Sequence, residues 1–193
     1  MNIYTPLINY FLEFVQLEDV DKDFILKSFK AGFIKKNTII EKAGHVPKLH
    51  HFIASGFVRR YYIDDFGNEI VTDINKGPEF LTTYIHFLNN TVSPKNYIET
   101  ITDVTVLQIN RSSVLNLLSR FLVMQEFQSK VFLKMSNDNR QRAIDLATLS
   151  AEQLYLKFIN ENPEIIQNVP LTCIASYLGI TPQSLSRLRK NIK

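Results

Sequence analysis

The sequence predicts an α+β fold with a jelly-roll-like β-roll, then a long helix, then a C-terminal helix-turn-helix. Three observations support it. Glycines recur every 10–12 residues among β-rich segments over 32–77, helix formers dominate from 111 onward, and 170–190 has the pattern of two short helices joined by a turn. We expect a β-roll with N-terminal helices over 1–110, a long helix over 111–136 and a helix-turn-helix domain over 137–193.

The composition is that of an ordinary globular protein, with 193 residues, 45% of them hydrophobic and 21% charged. A single cysteine excludes a disulfide framework, a cysteine-ligated zinc site and a self-contained iron–sulfur cluster. Apolar runs fall short of the ~18 residues of a membrane-spanning helix, and the N-terminus lacks the basic start of a secretory signal. We therefore expect a cytoplasmic protein.

Two helices are expected before the roll, within residues 2–30. Leu7, Tyr10 and Phe11 fall on one stripe of the first helix, and Asp21 is a suitable cap for the second. We expect both helices to cover one end of the roll, which is a packing role.

The roll itself is predicted from short β-rich segments separated by turns. Residues 64–68 have the composition of a hairpin turn, and residues 80–88 suggest a short helix. Regular spacing of this kind is typical of an all-β sandwich or barrel of roughly eight strands. The segments are 33–40, 49–54, 57–63, 69–74 and 97–109.

A heptad seam marks the long helix. Its members are separated by alternating steps of four and three residues, the pattern of a coiled-coil seam. We expect the seam to pack against a second copy of the chain, with docking onto the same chain as the alternative. The seam consists of Leu117, Phe121, Met124, Gln128, Val131 and Met135.

The residue pattern from Pro170 to Lys190 predicts a helix-turn-helix. Ile174 and Leu178 share one face of the first helix, and Gly179 stands where a left-handed residue ends it. Thr181 is expected to cap the second helix, with Pro182 at its first position, where a missing N–H costs nothing. Leu185 and Leu188 then face the first helix.

The basic charge of the protein is concentrated in this segment. From Pro170 to the end there are four Lys/Arg and no Asp/Glu, whereas the preceding 169 residues hold 18 basic and 19 acidic residues. Side chains on the outward face can therefore contact phosphates and base edges of DNA. The candidate DNA-binding residues are Thr181, Gln183, Ser184, Ser186, Arg187, Arg189 and Lys190. The alternative for Ser184 and Ser186 is that they are exposed to solvent and contact no DNA. Arg189 and Lys190 are expected to contact phosphates and not base edges.

The order of these parts resembles the Crp/Fnr family of bacterial transcription regulators over nearly the whole chain. The most specific match is IleAlaSerTyrLeuGlyIleThrProGlnSerLeuSerArgLeuArgLys at 174–190, and SerAlaGluGlnLeuTyr at 150–155 is also similar to Bacteroidetes-type members. The resemblance implies a cyclic-nucleotide-binding-like roll, a homodimer formed through the long helix, and a recognition helix in the major groove of double-stranded DNA. It also implies RNA polymerase as a partner and no enzymatic activity.

The resemblance also assigns DNA contacts residue by residue. The family's Arg-Glu-x-x-x-Arg pattern falls on Pro182, Gln183 and Arg187. Arg187 matches and is expected to read guanine through two hydrogen bonds. Gln183 replaces a glutamate, and Pro182 removes the first arginine, so we expect a changed site preference. Residues 159–169 leave little room for the family's β-wing.

The effector site implied by the resemblance departs further from the family. The Gly-Glu that contacts the ribose falls on Gly77-Pro78-Glu79, and the Arg-Ser/Thr pair that holds the phosphate falls near Pro94 and Lys95. Because lysine is a point charge without arginine's bidentate fork, we expect no cyclic AMP binding. The candidate residues for another effector are Glu79, Thr82, Thr83 and Lys95.

Two other functions are alternatives for this sequence. An effector-independent DNA-binding protein would keep the roll as a scaffold. A cupin-like metalloenzyme would need ligands inside the roll, but His50 and His51 are adjacent on a strand and must face opposite sides. Cys173 is expected to be a small buried apolar residue, with a redox switch as the alternative. No metal or other cofactor is expected.

Overall fold

The computed structural model describes residues 2–191. Its helices are α1 (Thr5–Leu12), α2 (Asp19–Ser28), α3 (Tyr84–Asn89), α4 (Arg111–Arg120), α5 (Leu122–Thr148), α6 (Ala151–Glu161), α7 (Pro163–Asn168), α8 (Leu171–Tyr177) and α9 (Pro182–Asn191). Its strands are β1 (Lys30–Ile34), β2 (Ile39–Glu41), β3 (Leu49–Ser55), β4 (Phe57–Ile63), β5 (Glu69–Lys76), β6 (Glu79–Leu81), β7 (Tyr97–Thr100) and β8 (Val104–Asn110). Within 2–191 no helix has both the length and the apolar character needed to cross a membrane.

The strands form two four-stranded antiparallel sheets that face each other. The first sheet has the order β1-β8-β3-β6 and the second β2-β7-β4-β5. The predicted hairpin at 64–68 joins β4 to β5, and its turn is held by Asp64, whose Oδ1 accepts the backbone N–H groups of Phe66 and Asn68 at 2.9 and 2.8 Å. The predicted α+β fold with a jelly-roll-like roll is confirmed.

Strand β3 shows how the alternation of side chains divides the core. Ile53 is fully buried inside the roll with Val106, whereas Phe52 is fully buried on the opposite face, against the helices. His51 follows Ile53 inward, and His50 follows Phe52 outward. The prediction that the two histidines face opposite sides is therefore confirmed.

Two larger apolar clusters lie outside the roll. One joins α1, α2, α4 and the start of α5 to the outer face of the first sheet, with Leu7 and Phe11 at its centre. This confirms the packing role expected of the N-terminal helices. The other joins Tyr61 and Val71 of the second sheet to the C-terminal helices, including Ile174 and Leu185.

The helix predicted over 111–136 is instead two helices. Phe121 is extended (φ −123°, ψ 113°) and separates α4 from α5, and α5 then runs to Thr148, across the expected boundary at 136. Asn110 caps α4 because its side chain accepts the N–H of Ser113. The break lets α4 and the start of α5 both lie on the roll.

The first part of the predicted seam packs within the chain, as in the alternative to a dimer interface, whereas Met135 at its end is 44% exposed. Leu117 and Met124 are only 6% and 4% exposed in the first apolar cluster, and Phe121 packs against it. The Gln128 side-chain amide donates to Tyr84 Oη at 2.6 Å. Val131 and Met135 line a cavity between α5 and the roll. The N-terminal helices and the first sheet cover Leu117, Phe121 and Met124.

Candidate nucleic-acid interface

Helices α8 and α9 form the predicted helix-turn-helix. Gly179 has φ +69°, and the N–H of Ile180 donates to the carbonyl of Ala175 at 3.0 Å, which closes the C-terminus of α8. A side chain at Gly179 would have to adopt a left-handed backbone conformation that is unfavourable for other residues. The turn therefore depends on this glycine, as the sequence predicts.

Thr181 caps α9. Its Oγ1 accepts the backbone N–H of Ser184 at 3.1 Å, and its hydroxyl lies 2.9 Å from the Ser184 hydroxyl. Pro182 occupies the first position of the helix. The hydroxyls of two predicted DNA-binding residues are thus engaged in the cap, which fixes the start of the helix.

The two faces of α9 differ sharply in burial. Leu185 is fully buried against α8, and Leu188 is half-buried beside it. Between residues 2 and 191, the structure pairs none of the three cations Arg187, Arg189 and Lys190 with a carboxylate. All seven predicted contact residues are exposed: Thr181, Gln183, Ser184, Ser186, Arg187, Arg189 and Lys190.

The helix-turn-helix is fastened to the second sheet of the roll. Ser176 Oγ accepts the backbone N–H of Val71 at 2.9 Å. Arg142 on α5 donates to the Tyr177 carbonyl at 2.9 Å and places its guanidinium 3.7 Å from the centre of the Tyr177 ring. These contacts fix α8 relative to the roll and leave α9 on the outside.

An ion-pair network beneath α8 was not predicted from the sequence. Arg59 lies between Glu69, at 2.6 Å, and Glu99, at 2.5 Å, and its Nη1 is 3.8 Å from Cys173 Sγ. Burial alone would lower the pKa of Arg59, but the hydrogen bonds to Glu99 and Glu69 raise it. Burial raises the pKa of the Cys173 thiol, which keeps the thiol protonated. Arg59 and Cys173 are 114 residues apart, so no local pattern signals the contact.

The four candidate effector residues do not share one site, which corrects their grouping. Glu79 and Thr82 line the cavity between α5 and the roll. Thr83 instead donates to Glu41 through its N–H at 3.0 Å and its hydroxyl at 2.8 Å. Lys95 is exposed and does not line the cavity, because it lies in the loop before β7.

Histidines take structural positions in the roll. Gln108 Nε2 donates to His51 Nδ1 at 3.2 Å, and the His50 ring stacks on Phe80 at 4.8 Å between ring centres. Desolvation lowers the pKa of His50 to about 3 and that of His51 to about 4, so both rings are neutral at pH 7. In the described part of the chain, no cluster of three or more His, Cys, Asp or Glu side chains is placed to hold a metal ion.

All elements that follow α5 within the described residues are helices. Residues 163–168, where the family's β-wing would begin, form α7. The prediction that 159–169 leave little room for a wing agrees with this arrangement.

No protein-family model matches this sequence, and no curated relative matches it. Solved structures do. The c-di-GMP-responsive global regulator CLP of Xanthomonas campestris is 14% identical, with a TM-score of 0.71 and 91% of each chain covered. A Crp/Fnr-family regulator of Eubacterium rectale is 17% identical, with a TM-score of 0.72, over 95% of this chain and 87% of that one. FixK2 of Bradyrhizobium japonicum is 16% identical, with a TM-score of 0.67, and the match covers 85% of this chain and 84% of that one.

Proposed function

We propose that this chain, which has the fold of the Crp/Fnr transcription regulators, is a homodimeric regulator that binds specific sequences of double-stranded DNA. The observation that carries the proposal is α9, a helix with an exposed face bearing Arg187, Arg189 and Lys190 on a rigidly docked helix-turn-helix. The residues of α8 and α9 carry no acidic side chain that would repel phosphates. A role in transcription regulation is supported by the fold that the chain shares with the compared regulators.

The positions on α9 divide the proposed contacts into two kinds. Arg187 is exposed one turn into the helix, where a side chain reaches base edges in the major groove, and its fork matches O6 and N7 of guanine. Gln183 lies one turn earlier and suits adenine. Arg189 and Lys190, near the end of the helix, suit phosphates. Pro182 carries no hydrogen-bonding side chain, so the first base of the family pattern is left unread.

Substitution Arg187→Ala tests the proposal. We expect a loss of about 1–3 kcal/mol of binding free energy on the preferred duplex and relaxed specificity at one base pair. The control Lys190→Ala should weaken binding to all duplexes similarly. It should also reduce the slope of the logarithm of the binding constant against the logarithm of salt concentration by about one. Footprinting titrations of both variants measure these effects. Equal binding of all duplexes by the wild-type protein would contradict sequence-specific recognition.

The proposed dimer interface lies on a different face of α5 from the predicted seam. Leu122, Leu133 and Ile144 are 81%, 63% and 43% exposed and recur every 11 residues, which is close to three helical turns. These three side chains lie along one face of α5, opposite Val131, which lines the cavity, and polar residues such as Glu126 and Arg140 lie between them in this stripe. A second copy of α5 would cover this stripe.

Substitution Leu133→Asp is expected to shift the protein from dimer to monomer, because it places a charge in the proposed stripe. Sedimentation velocity measures the change. Ile85→Asp is the matched control, since Ile85 is 64% exposed on α3 and outside the stripe. A Leu133→Asp protein that sediments like the wild type would contradict this interface.

The proposed function does not include cyclic AMP as the effector. Arg60 is held by Asp73 at 3.3 Å and by the Thr82 carbonyl at 3.1 Å, and Lys95 stands outside the cavity. Neither cation is therefore free inside the cavity to bind a phosphate.

A further inference from the structure

Strand β5 forms one edge of the second sheet, so one side of its backbone has no neighbouring strand among residues 2–191. Its register with β4 includes Val71 and Asp73 but passes over Thr72, the extra residue of a β-bulge. Bulges are common at sheet edges, where they interrupt the hydrogen-bond ladder. Because α8 packs on this edge, the free N–H and carbonyl groups of β5 are shielded from water and need partners from other elements.

Two side chains from the helices that follow the roll supply these partners. Ser176 Oγ of α8 accepts the N–H of Val71 at 2.9 Å and donates to the carbonyl of Glu69 at 3.3 Å. Arg142 of α5 donates through Nη1 to the carbonyl of Thr72, at the bulge. The edge of β5 is therefore completed by α5 and α8, which ties the helix-turn-helix to its own roll.

Arg142 joins α5 and β5 to the end of α8. Its Nη2 donates to the Tyr177 carbonyl at 2.9 Å, its guanidinium lies 3.7 Å from the centre of the Tyr177 ring, and its Nη1 lies 3.9 Å from Asp73 Oδ1. The side chain is only 26% exposed, so water competes little for these contacts. Arginine's planar fork donates in two fixed directions at once, which the single ammonium group of lysine does not reproduce.

The contact with Tyr177 lies next to the turn that leads to α9. Tyr177 is the last residue of α8, where carbonyls have no partner in the helix and the helix dipole favours a cation. The following turn has a defined shape, with Gly179 at φ +69° and the N–H of Ile180 bonded to the carbonyl of Ala175. The position of α9 relative to the roll therefore follows from where Arg142 holds the end of α8.

We propose that Arg142 is a positioning residue for DNA recognition, which fixes α9 relative to the roll and thereby the half-site spacing that the protein accepts. The inference rests on the proposed function. In a dimer joined through the exposed stripe of α5, the position of α9 on its own roll sets the distance between the two copies of α9. Without Arg142, α9 still packs on α8 through Leu185, but the pair is free to take more than one position on the roll.

Hydrogen exchange followed by NMR, on the full-length protein without DNA, tests the hold of Arg142 on α8. We expect Arg142→Ala to speed the exchange of the Val71 N–H roughly tenfold, because its acceptor Ser176 lies on α8. The amides of β7, a central strand of the same sheet, should exchange as in the wild type. Tyr177→Phe is the matched control, since it keeps the ring and the carbonyl that Arg142 contacts. Unchanged exchange at Val71, or an equal increase in β7, would contradict a positioning role.

Selection from duplexes in which the distance between two copies of the preferred half-site varies tests the effect on DNA binding. We expect the wild type to enrich one spacing, and Arg142→Ala to bind the same half-sites with a roughly tenfold weaker preference for that spacing. Arg142→Lys keeps the charge but lacks the fork, so it should behave like Arg142→Ala, and it replaces the alanine variant if that variant does not fold. An undiminished spacing preference in both variants would overturn the proposal. Failure of the wild type to enrich any duplex would contradict the proposed function instead, and the hydrogen-exchange test would then decide on Arg142 alone.

Discussion

Lowering the pH from 7 to 4 is expected to destabilise the fold by about 3 kcal/mol for each of two histidines on β3, the partly buried His50 and the buried His51. Desolvation lowers the pKa of His50 to about 3 and that of His51 to about 4, against about 6.5 in the unfolded chain. The unfolded state therefore binds more protons at mildly acidic pH. The stabilisation is fully present above about pH 7, and it is lost as the pH falls toward 4 for His51 and 3 for His50.

Urea unfolding at half-unit steps between pH 7 and 4 measures this effect. His50→Phe should roughly halve the histidine contribution to the slope, because it removes one titrating ring and keeps the contact with Phe80. His45→Asn is the control, since His45 is exposed, and its slope should match that of the wild type. If wild type and His50→Phe lose stability in parallel over this range, the buried neutral histidine is not the cause.

Substitution Leu185→Ala is expected to destabilise the C-terminal helical unit by about 2–5 kcal/mol and to abolish specific DNA binding. Leu185 is fully buried in the cluster that contains the buried side chains of α8, while Leu188 is only half-buried. Loss of this side chain leaves a cavity that the short helix cannot close. Chemical unfolding followed by circular dichroism, together with DNA titration, measures both effects.

Ser186→Ala is the matched control for Leu185→Ala, because Ser186 is the next residue on α9 and is exposed. We expect its free energy of unfolding to stay within about 0.5 kcal/mol of the wild type. A Leu185→Ala protein with wild-type stability and wild-type DNA affinity would show that α9 is not held by this contact.

Local patterns in the sequence predict the secondary structure and the helix-turn-helix well. Gly179, Thr181 and Pro182 each have a backbone role that depends on neighbours within a few residues, and the structure shows all three in that role. The glycine spacing likewise predicts the roll, because turns recur where strands must reverse.

Periodicity does not reveal what an apolar stripe packs against. Leu117 and Met124 follow a heptad pattern, yet their partners are the N-terminal helices and the first sheet, more than 20 residues away in sequence. The stripe formed by Leu122, Leu133 and Ile144 was not predicted, because these residues are spaced more widely than the three- and four-residue steps of a heptad pattern. Contacts such as Arg59 with Cys173 depend on the packing of separate units, which a one-dimensional pattern does not contain.

Selection from a random pool of DNA duplexes by the full-length protein tests the central claim most directly. Since each half of the proposed dimer carries one α9, we predict enrichment of a two-fold symmetric sequence whose half-sites are centred about 10–10.5 base pairs apart. We also predict that Arg187→Ala removes the preference for guanine at one position in each half-site. Retention of the pool without enrichment of any sequence would contradict the claim that this protein is a sequence-specific regulator.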